Sequence, residues 1–382
     1  MAGASLLLQA NLMKEYYNDF SKYSKGKKSD KKVAWVTSFT PIEILEALDI
    51  AYYYPESYAA VIAASGKEQS LLNESERQAL CLDCCSYSCC FEGSITLEEG
   101  PRGIPPLPDV LIATNNQCNT LPNWWNILSH RYNVPLIVLD YPGENADKND
   151  AYNYVTKQHK MLIHDMEVLC GKEMNYQRLS ECISNSSNSI RTWSKVLGYM
   201  SIKEIKPTIL FDAISFLITS RCKAETEQLY IAMSEEMEKL PDAKDEKIKI
   251  FWLGYPLWYH SKRYLSEMME EYRITGSNYL TWWNLDYKGV NIWEQLFQAY
   301  NYTSLNLAQN TRTKKLKDLI EHSGAVGAIT LHNKSCKCDF VSAKDIEIIQ
   351  VEIEIDMIDR EFMDVAKVER QMDILKETIC ID

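Results

Sequence analysis

Five cysteines fall within ten residues of this chain: Cys81, Cys84, Cys85, Cys89 and Cys90, in the run CLDCCSYSCC. Single cysteines in polar settings follow far downstream, Cys118 in NNQCNTL and Cys336 with Cys338 in HNKSCKCD. Packing does not require that density. A free cysteine packs as a small apolar residue, whereas its thiolate is a soft ligand for metals and clusters. An iron–sulfur cluster needs several thiolates converging on one point. Here the fold would have to bring three separated loops together. A zinc site is a second reading, with Cys81 and Cys84 as CxxC and Cys336 and Cys338 as CxC. The absence of any metal is a third. Cys170, Cys182, Cys222 and Cys380 lie in helical or terminal stretches and read as packing or surface thiols.

The elements that must position these residues alternate. KKVAWVTS (31–38) is a β-branched and aromatic run and predicts a buried strand. TPIEILEALDI predicts a helix capped by Thr40, with Pro41 at its first position. AAVIAA (59–64), DVLIAT (109–114) and PLIVLDYP (135–142) predict further strands, with a helix over 124–132 between the last two. From about 150 to 245 helical patterns dominate, among them KQHKMLIHDMEVLC and AETEQLYIAMSEEMEKL. KIKIFWLGYP (247–256), NYLTWW (278–283), AVGAITLHN (325–333) and IEIIQVEIEID (346–356) then predict a second set of strands. A helix over 361–379 closes the chain. Strands alternating with helices imply α/β architecture: two doubly wound, Rossmann- or flavodoxin-like parallel-sheet domains with a helical insert. The expected division is an N-terminal helical arm over 1–30, a first α/β domain over 31–150, a helical linker region over 151–245 and a second α/β domain over 246–382. Cys118 and Cys336 both fall just beyond predicted strand ends, where open α/β sheets place ligands.

Composition narrows the function. The 382 residues are 46% hydrophobic and 25% charged, an ordinary balance for two globular domains. The net charge of −12 shows no basic footprint and argues against general nucleic-acid binding. An anionic substrate would need a local cationic pocket. The N-terminus lacks the basic n-region of a secretory signal, and no stretch offers about 20 unbroken apolar residues for a membrane span. The expectation is a cytoplasmic protein whose cysteines are thiols or ligands rather than disulfides. No GxxxxGK[ST] loop occurs, so any ATP chemistry belongs to another chain.

The residues around the cysteines carry a resemblance. KVAWVTSFTPIEILEALDI followed by YYYPESYAAVIAA resembles the opening of the 2-hydroxyacyl-CoA dehydratase and ATP-dependent benzoyl-CoA reductase family. LDCCSY, NNQCNTLPNWW and HNKSCK resemble its three cysteine motifs in order. GYPLWY, GSNYLTWW and IEIDMIDREF also fit, so the likeness spans roughly residues 31–375. The VAWVTS and YPES forms are most similar to the substrate-binding, alpha-type dehydratase subunit.

That resemblance implies a [4Fe-4S] cluster held by Cys85, Cys118 and Cys336, with one iron left open to water or to the thioester oxygen of an acyl-CoA. It implies Ser38 beside that iron and Glu56 as a proton handler. By residue type alone, Ser38 reads as a turn residue before a helix and Glu56 as a surface carboxylate after proline; the family context is what makes them site candidates. Trp258, Tyr279 and Trp282 fall in family-like motifs and become candidates for a substrate-pocket wall. Trp124, Trp125, Trp252 and Trp283 share the aromatic enrichment, and some of these are core. His260 and His332 flank the motifs and read as structural histidines.

The implied reaction is anaerobic dehydration of an (R)-2-hydroxyacyl-CoA, as in amino-acid fermentation. One low-potential electron on the thioester carbonyl gives a ketyl radical anion, which expels the α-hydroxyl and acidifies the β-hydrogen. The implied partners are a related second subunit, in a heterodimer, and a separate ATP-dependent iron–sulfur activator. Alternatives are a benzoyl-CoA-type reductase subunit and a non-catalytic electron relay. The sequence departs from the family at Tyr87-Ser88-Cys89, where an aromatic-X-Arg element is frequent. Cys84, Cys89, Cys90 and Cys338 are extra, and a fourth thiolate among them would close the open iron.

Overall fold

The computed structural model describes residues 3–18, 20, 31–244, 246–259, 270–336 and 346–381. His260 and Cys338 lie outside the described residues. Among the described residues, eight strands form two four-stranded sheets, every pairing parallel. The first contains β1 (Val33–Val36), β2 (Ala51–Tyr53), β3 (Val110–Thr114) and β4 (Leu136–Leu139), in the order β2-β1-β3-β4. The second contains β5 (Ile248–Leu253), β6 (Tyr272–Ser277), β7 (Gly327–Asn333) and β8 (Ile349–Ile355), in the order β6-β5-β7-β8. The two orders are the same. β1 and β3 are buried along their whole length, as strands covered on both faces must be, and they read as unbroken apolar runs. The fold class is the α/β class that the alternating pattern implies.

In each sheet the first strand lies inside, with its successors on opposite sides. The chain therefore diverges between β1 and β3, and again between β5 and β7. Side chains beyond the carboxyl ends of those strands face an open crevice. At the first divergence the Thr37 and Thr114 hydroxyls hydrogen-bond at 3.1 Å, and Thr114 N–H donates to Thr37 Oγ1 at 3.1 Å. That contact fixes the two loops carrying Ser38 and Cys118 relative to each other.

Four helices, Lys148–Cys170, Tyr176–Gly198, Pro207–Thr219 and Ala224–Glu238, form the middle of the chain. Asp147 starts the first of them, its carboxylate accepting from the Asn149 and Asp150 amides. No helix among the described residues is long and apolar enough to cross a membrane.

Several expectations are corrected. Residues 59–64 are not a strand but the end of the helix Pro55–Ala64. Pro55 occupies its first turn, and Ala59, Ile62 and Ala63 are buried at helical spacing. NYLTWW is not a strand either; Tyr279–Thr281 form a 3-10 turn immediately after β6. Thr40 does not cap the helix Ile42–Ala47, whose N-cap is Pro41; its hydroxyl faces Thr37 instead. The strands β2 and β6 were not expected. β2 is only three residues long, and β6 reads YRITGS, with too few large apolar residues to signal a buried strand.

A buried ion pair ties the first sheet to the helical region and to the second half. Glu43, on Ile42–Ala47, lies 3.3 Å from Arg221, and both side chains are essentially inaccessible. Ser186, Tyr287 and Tyr300 each donate a hydroxyl to the Glu43 carboxylate at 2.6 Å. Arg221 donates to the carbonyls of Thr40 and Ile218 at 2.9 and 3.1 Å. Such a pair contributes little against an apolar substitute, but breaking it strands a charge. Arg221→Met is expected to lower unfolding free energy by about 3–5 kcal/mol, measured by urea titration. A loss below about 1 kcal/mol would show that the site tolerates a buried unpaired Glu43.

Candidate active site

One cavity of about 470 Å³ collects the residues that the sequence singled out. Ser38, Glu56, Cys85, Cys118, Cys336, Trp258, Tyr279 and Trp282 all line it. Each arrives by a separate route. Ser38 follows β1, and Cys118 follows β3. Glu56 lies in the first turn of Pro55–Ala64. Cys85 is the N-cap of the helix Ser86–Leu97. Cys336 follows β7 across a short turn.

The helix carrying Cys85 is held close to its neighbour by Gly93. A Cβ there would come within 2.0 Å of the Leu71 carbonyl oxygen. Cys85 and Cys336 are then brought together by their sequence neighbours. The Ser86 and Ser335 hydroxyls hydrogen-bond at 2.8 Å, and Ser335 donates to Asp356 Oδ2 at 2.5 Å. All three are at least 98% buried, and Asp356 Oδ1 accepts from the Ile358 and Asp359 amides at 2.9 Å. Nothing in the sequence pairs these three residues except the serine preceding Cys336 and the serine following Cys85.

The electrostatics of the thiols reflect opposing effects. Burial pushes the Cys118 pKa up to about 11, against the pull of the Leu121 and Thr120 amides at the start of Thr120–Tyr132. Burial likewise raises Cys85 well above the ordinary thiol value, with the Ser88 amide opposing it; Cys336, Cys118 and Glu56 add to the rise. Two of the three thiols thus sit at helix N-termini, where backbone N–H groups favour an anion. Glu56 accepts from the backbone N–H and hydroxyl of Ser38 at 3.2 and 3.1 Å, and from Gln117 Nε2 at 3.2 Å. Burial nevertheless raises its pKa to about 7, outweighing the Ser38 and Gln117 hydrogen bonds. A carboxyl poised there exchanges a proton readily near neutral pH.

Aromatic residues form one wall. Tyr255, Tyr279 and Trp282 pack with ring centroids 5.2–5.4 Å apart, and Trp258 lies 6.1 Å from Tyr279. Trp258 Nε1 donates to Tyr87 Oη at 2.5 Å, spanning the two halves of the chain. Gly254 makes the turn into this wall at φ +108°, where a Cβ would come within 2.9 Å of the Leu331 carbonyl oxygen. Sequence reasoning did not place Gln117, Tyr87, Tyr255, Met357 or the N-terminal helix Ala4–Tyr16 at the site, and all of them contribute to the cavity. Gln117 adjoins Cys118, which was the available signal for it.

The extra cysteines stand apart. Cys81 and Cys84 are exposed across a turn in which Cys84 N–H donates to the Cys81 carbonyl at 3.1 Å. Cys89 and Cys90 are buried within the apolar cluster around Trp35 and Phe91. None of these four lines the cavity. His332 is also outside it, half-exposed and 3.3 Å from Glu352. Trp124 and Trp125 are core, and Trp283 joins the cavity wall.

Comparison with known proteins places this arrangement. The chain is 27% identical to the lactoyl-CoA dehydratase alpha subunit of Anaerotignum propionicum, over 83% of this chain and 82% of that one. It is 28% identical to the (R)-2-hydroxyisocaproyl-CoA dehydratase alpha subunit of Clostridioides difficile, over 87% and 84% of the two chains. It is 22% identical to a benzoyl-CoA reductase subunit of Thauera aromatica, over 93% and 90%. The family described as 2-hydroxyglutaryl-CoA dehydratase, D-component, matches residues 37–374, nearly the whole chain, and this protein belongs to that family, among its alpha-type subunits.

Proposed function

We propose that this chain is the thioester-binding subunit of a radical (R)-2-hydroxyacyl-CoA dehydratase. The observation that carries this reading is the convergence of Cys85, Cys118 and Cys336, from three distant segments, on one cavity that also holds Glu56. The donor set fits an iron–sulfur group. It consists of thiols, two of them at helix N-termini, in a largely buried apolar setting. No three His, Cys, Asp or Glu side chains among the described residues are arranged around a single ion. Cys85, Cys118 and Cys336 would hold the [4Fe-4S] cluster. When bound, it would supply a low-potential electron and a Lewis-acidic iron with an open position.

The chain's own residues supply the rest. The buried wall excludes water from a reactive radical. Glu56 takes up the β-proton of the acyl group, and its pKa near 7 lets it return that proton to solvent. Ser38 orients Glu56 through two hydrogen bonds, and Gln117 holds the other carboxylate oxygen. A related second subunit and an ATP-dependent activator complete the proposed assembly. The alpha-subunit names of the relatives support the second subunit.

Anaerobic purification is expected to yield about four iron and four sulfide per chain. A 2-hydroxyacyl-CoA is expected to perturb the cluster's electron paramagnetic resonance spectrum. Stoichiometric zinc without iron would overturn the cluster assignment. A spectrum indifferent to every acyl-CoA would overturn thioester binding and favour an electron relay.

A further inference from the structure

The cavity has two distinct ends. Leu6, Ala10, Glu15, Ala64 and Asp212 are exposed and form its mouth, between the N-terminal helix, the end of Pro55–Ala64 and the middle of Pro207–Thr219. The opposite end is closed by buried and half-buried groups: the three thiols, Ser38, Glu56 and the aromatic wall. A thioester whose carbonyl reaches the thiols leaves its CoA arm toward the mouth. Its acyl chain then turns into the corner formed by Tyr255, Tyr279, Trp282 and Trp283.

That corner is unsuited to charge. Among the described residues lining the cavity, Lys223 is the one cation, against the carboxyl groups of Glu15, Glu56 and Asp212. Lys223 is committed at the mouth, 3.5 Å from Glu15. A second carboxylate on the acyl group would be buried facing Glu56, with no cation among the described residues of that end to pair it. The room for bulk is the cavity itself, about 470 Å³; its wall rings pack on one another edge-to-face and tilted, with centroids 5.2–6.2 Å apart, and offer an apolar surface for a further ring or branched chain to pack against.

We propose that this site selects 2-hydroxyacyl thioesters with a bulky, uncharged apolar acyl group, aryl or branched alkyl, and rejects dicarboxylic ones, with Trp282 as the main determinant. The inference rests on the thioester-binding reading above and names the substrate class for it.

The test uses three non-reacting thioesters that lack the 2-hydroxyl: 3-phenylpropionyl-CoA, propionyl-CoA and glutaryl-CoA. Each is titrated calorimetrically into the anaerobically purified full chain with any copurifying partner. The phenyl compound is expected to bind at least about tenfold tighter than propionyl-CoA, and glutaryl-CoA more weakly than either. Trp282→Ala is expected to shrink the phenyl preference to below about threefold, whereas Trp282→Phe keeps most of it. If Trp282→Ala does not fold, the wild-type ranking decides alone. Glutaryl-CoA binding as tightly as the phenyl compound, or equal affinities for phenyl and propionyl, would overturn the selectivity while leaving thioester binding intact. Failure of all three to bind would overturn the thioester reading itself, and this inference with it.

Discussion

Glu56→Gln is expected to reduce turnover by about 10²–10⁴-fold while changing acyl-CoA affinity less than about threefold. The substitution is close to isosteric, and the surrounding hydrogen bonds can survive it. The new amide oxygen still accepts from the Ser38 amide and hydroxyl, which now converge on one carboxylate oxygen. The new NH₂ faces Gln117, whose own Oε1 is buried with no partner among the described residues and can accept after a flip. Only the ability to bind and release a proton is lost. The pH profile separates this from a structural effect. With its pKa at about 7, Glu56 is protonated and unable to accept a proton at pH 5–6, so the wild-type rate rises as pH increases through about 7. The residual rate of the variant lacks that limb. A variant that keeps both the limb and more than a tenth of the rate would assign the proton transfer elsewhere.

The same shift makes a second, independent statement. The folded-state pKa is about 7 against an ordinary value of 4.5. Between those values the folded state holds the proton that the unfolded chain releases. Stability contributed by this group is therefore fully present below about pH 4.5 and is lost as pH rises through 7, by about 3 kcal/mol in all. Glu56→Gln removes that loss, so the variant is expected to be the more stable protein at pH 8. A site that costs stability in order to keep a proton acceptor buried is the pattern expected of function rather than packing.

How far the sequence disclosed this arrangement depended on what kind of signal each residue carried. β1 and β3 were legible because strands buried on both faces demand continuous apolar runs. AAVIAA misled for the same reason, since a six-residue apolar run does not distinguish a buried strand from a buried helix face. Only Pro55 and the i, i+3, i+4 burial of Ala59, Ile62 and Ala63 separate the two. β6 was hidden because it buries Arg273, whose Nη2 donates to the Ser201 carbonyl at 2.9 Å, a partner 72 residues away. The site itself was visible as cysteines in polar surroundings. Cys85 was separable from its four neighbours in the run only through the family resemblance, because the choice depends on the Ser86–Ser335–Asp356 contact across the fold. The Glu43–Arg221 pair joins residues 178 positions apart in sequence, so no local pattern announces it.

Cys118→Ser is expected to lose most of the bound iron and all measurable turnover, whereas Cys170→Ser retains both. The two residues differ in what surrounds the sulfur. Cys118 precedes Thr120–Tyr132, and the Thr120 and Leu121 amides at the start of that helix favour its thiolate. Cys170 ends the helix Lys148–Cys170, half-buried, its sulfur donating to the Glu167 carbonyl at 3.9 Å and lying outside the cavity. A serine at 118 replaces a soft ligand with a hard and rarely ionised one. Because burial holds the free Cys118 thiol at a pKa of about 11, iron binding must expel its proton, so anaerobic reconstitution is expected to proceed further at pH 8 than at pH 6.5. Cys81→Ser and Cys84→Ser, on the exposed turn outside the cavity, are expected to behave like Cys170→Ser. Thermal melts of each variant exclude loss of fold as the cause. Equal iron content in the Cys118 and Cys170 variants would contradict the ligand assignment. Iron loss in the Cys84 variant would instead draw that exposed thiol into the site, closing the position that the thioester needs and turning a catalytic subunit into a relay.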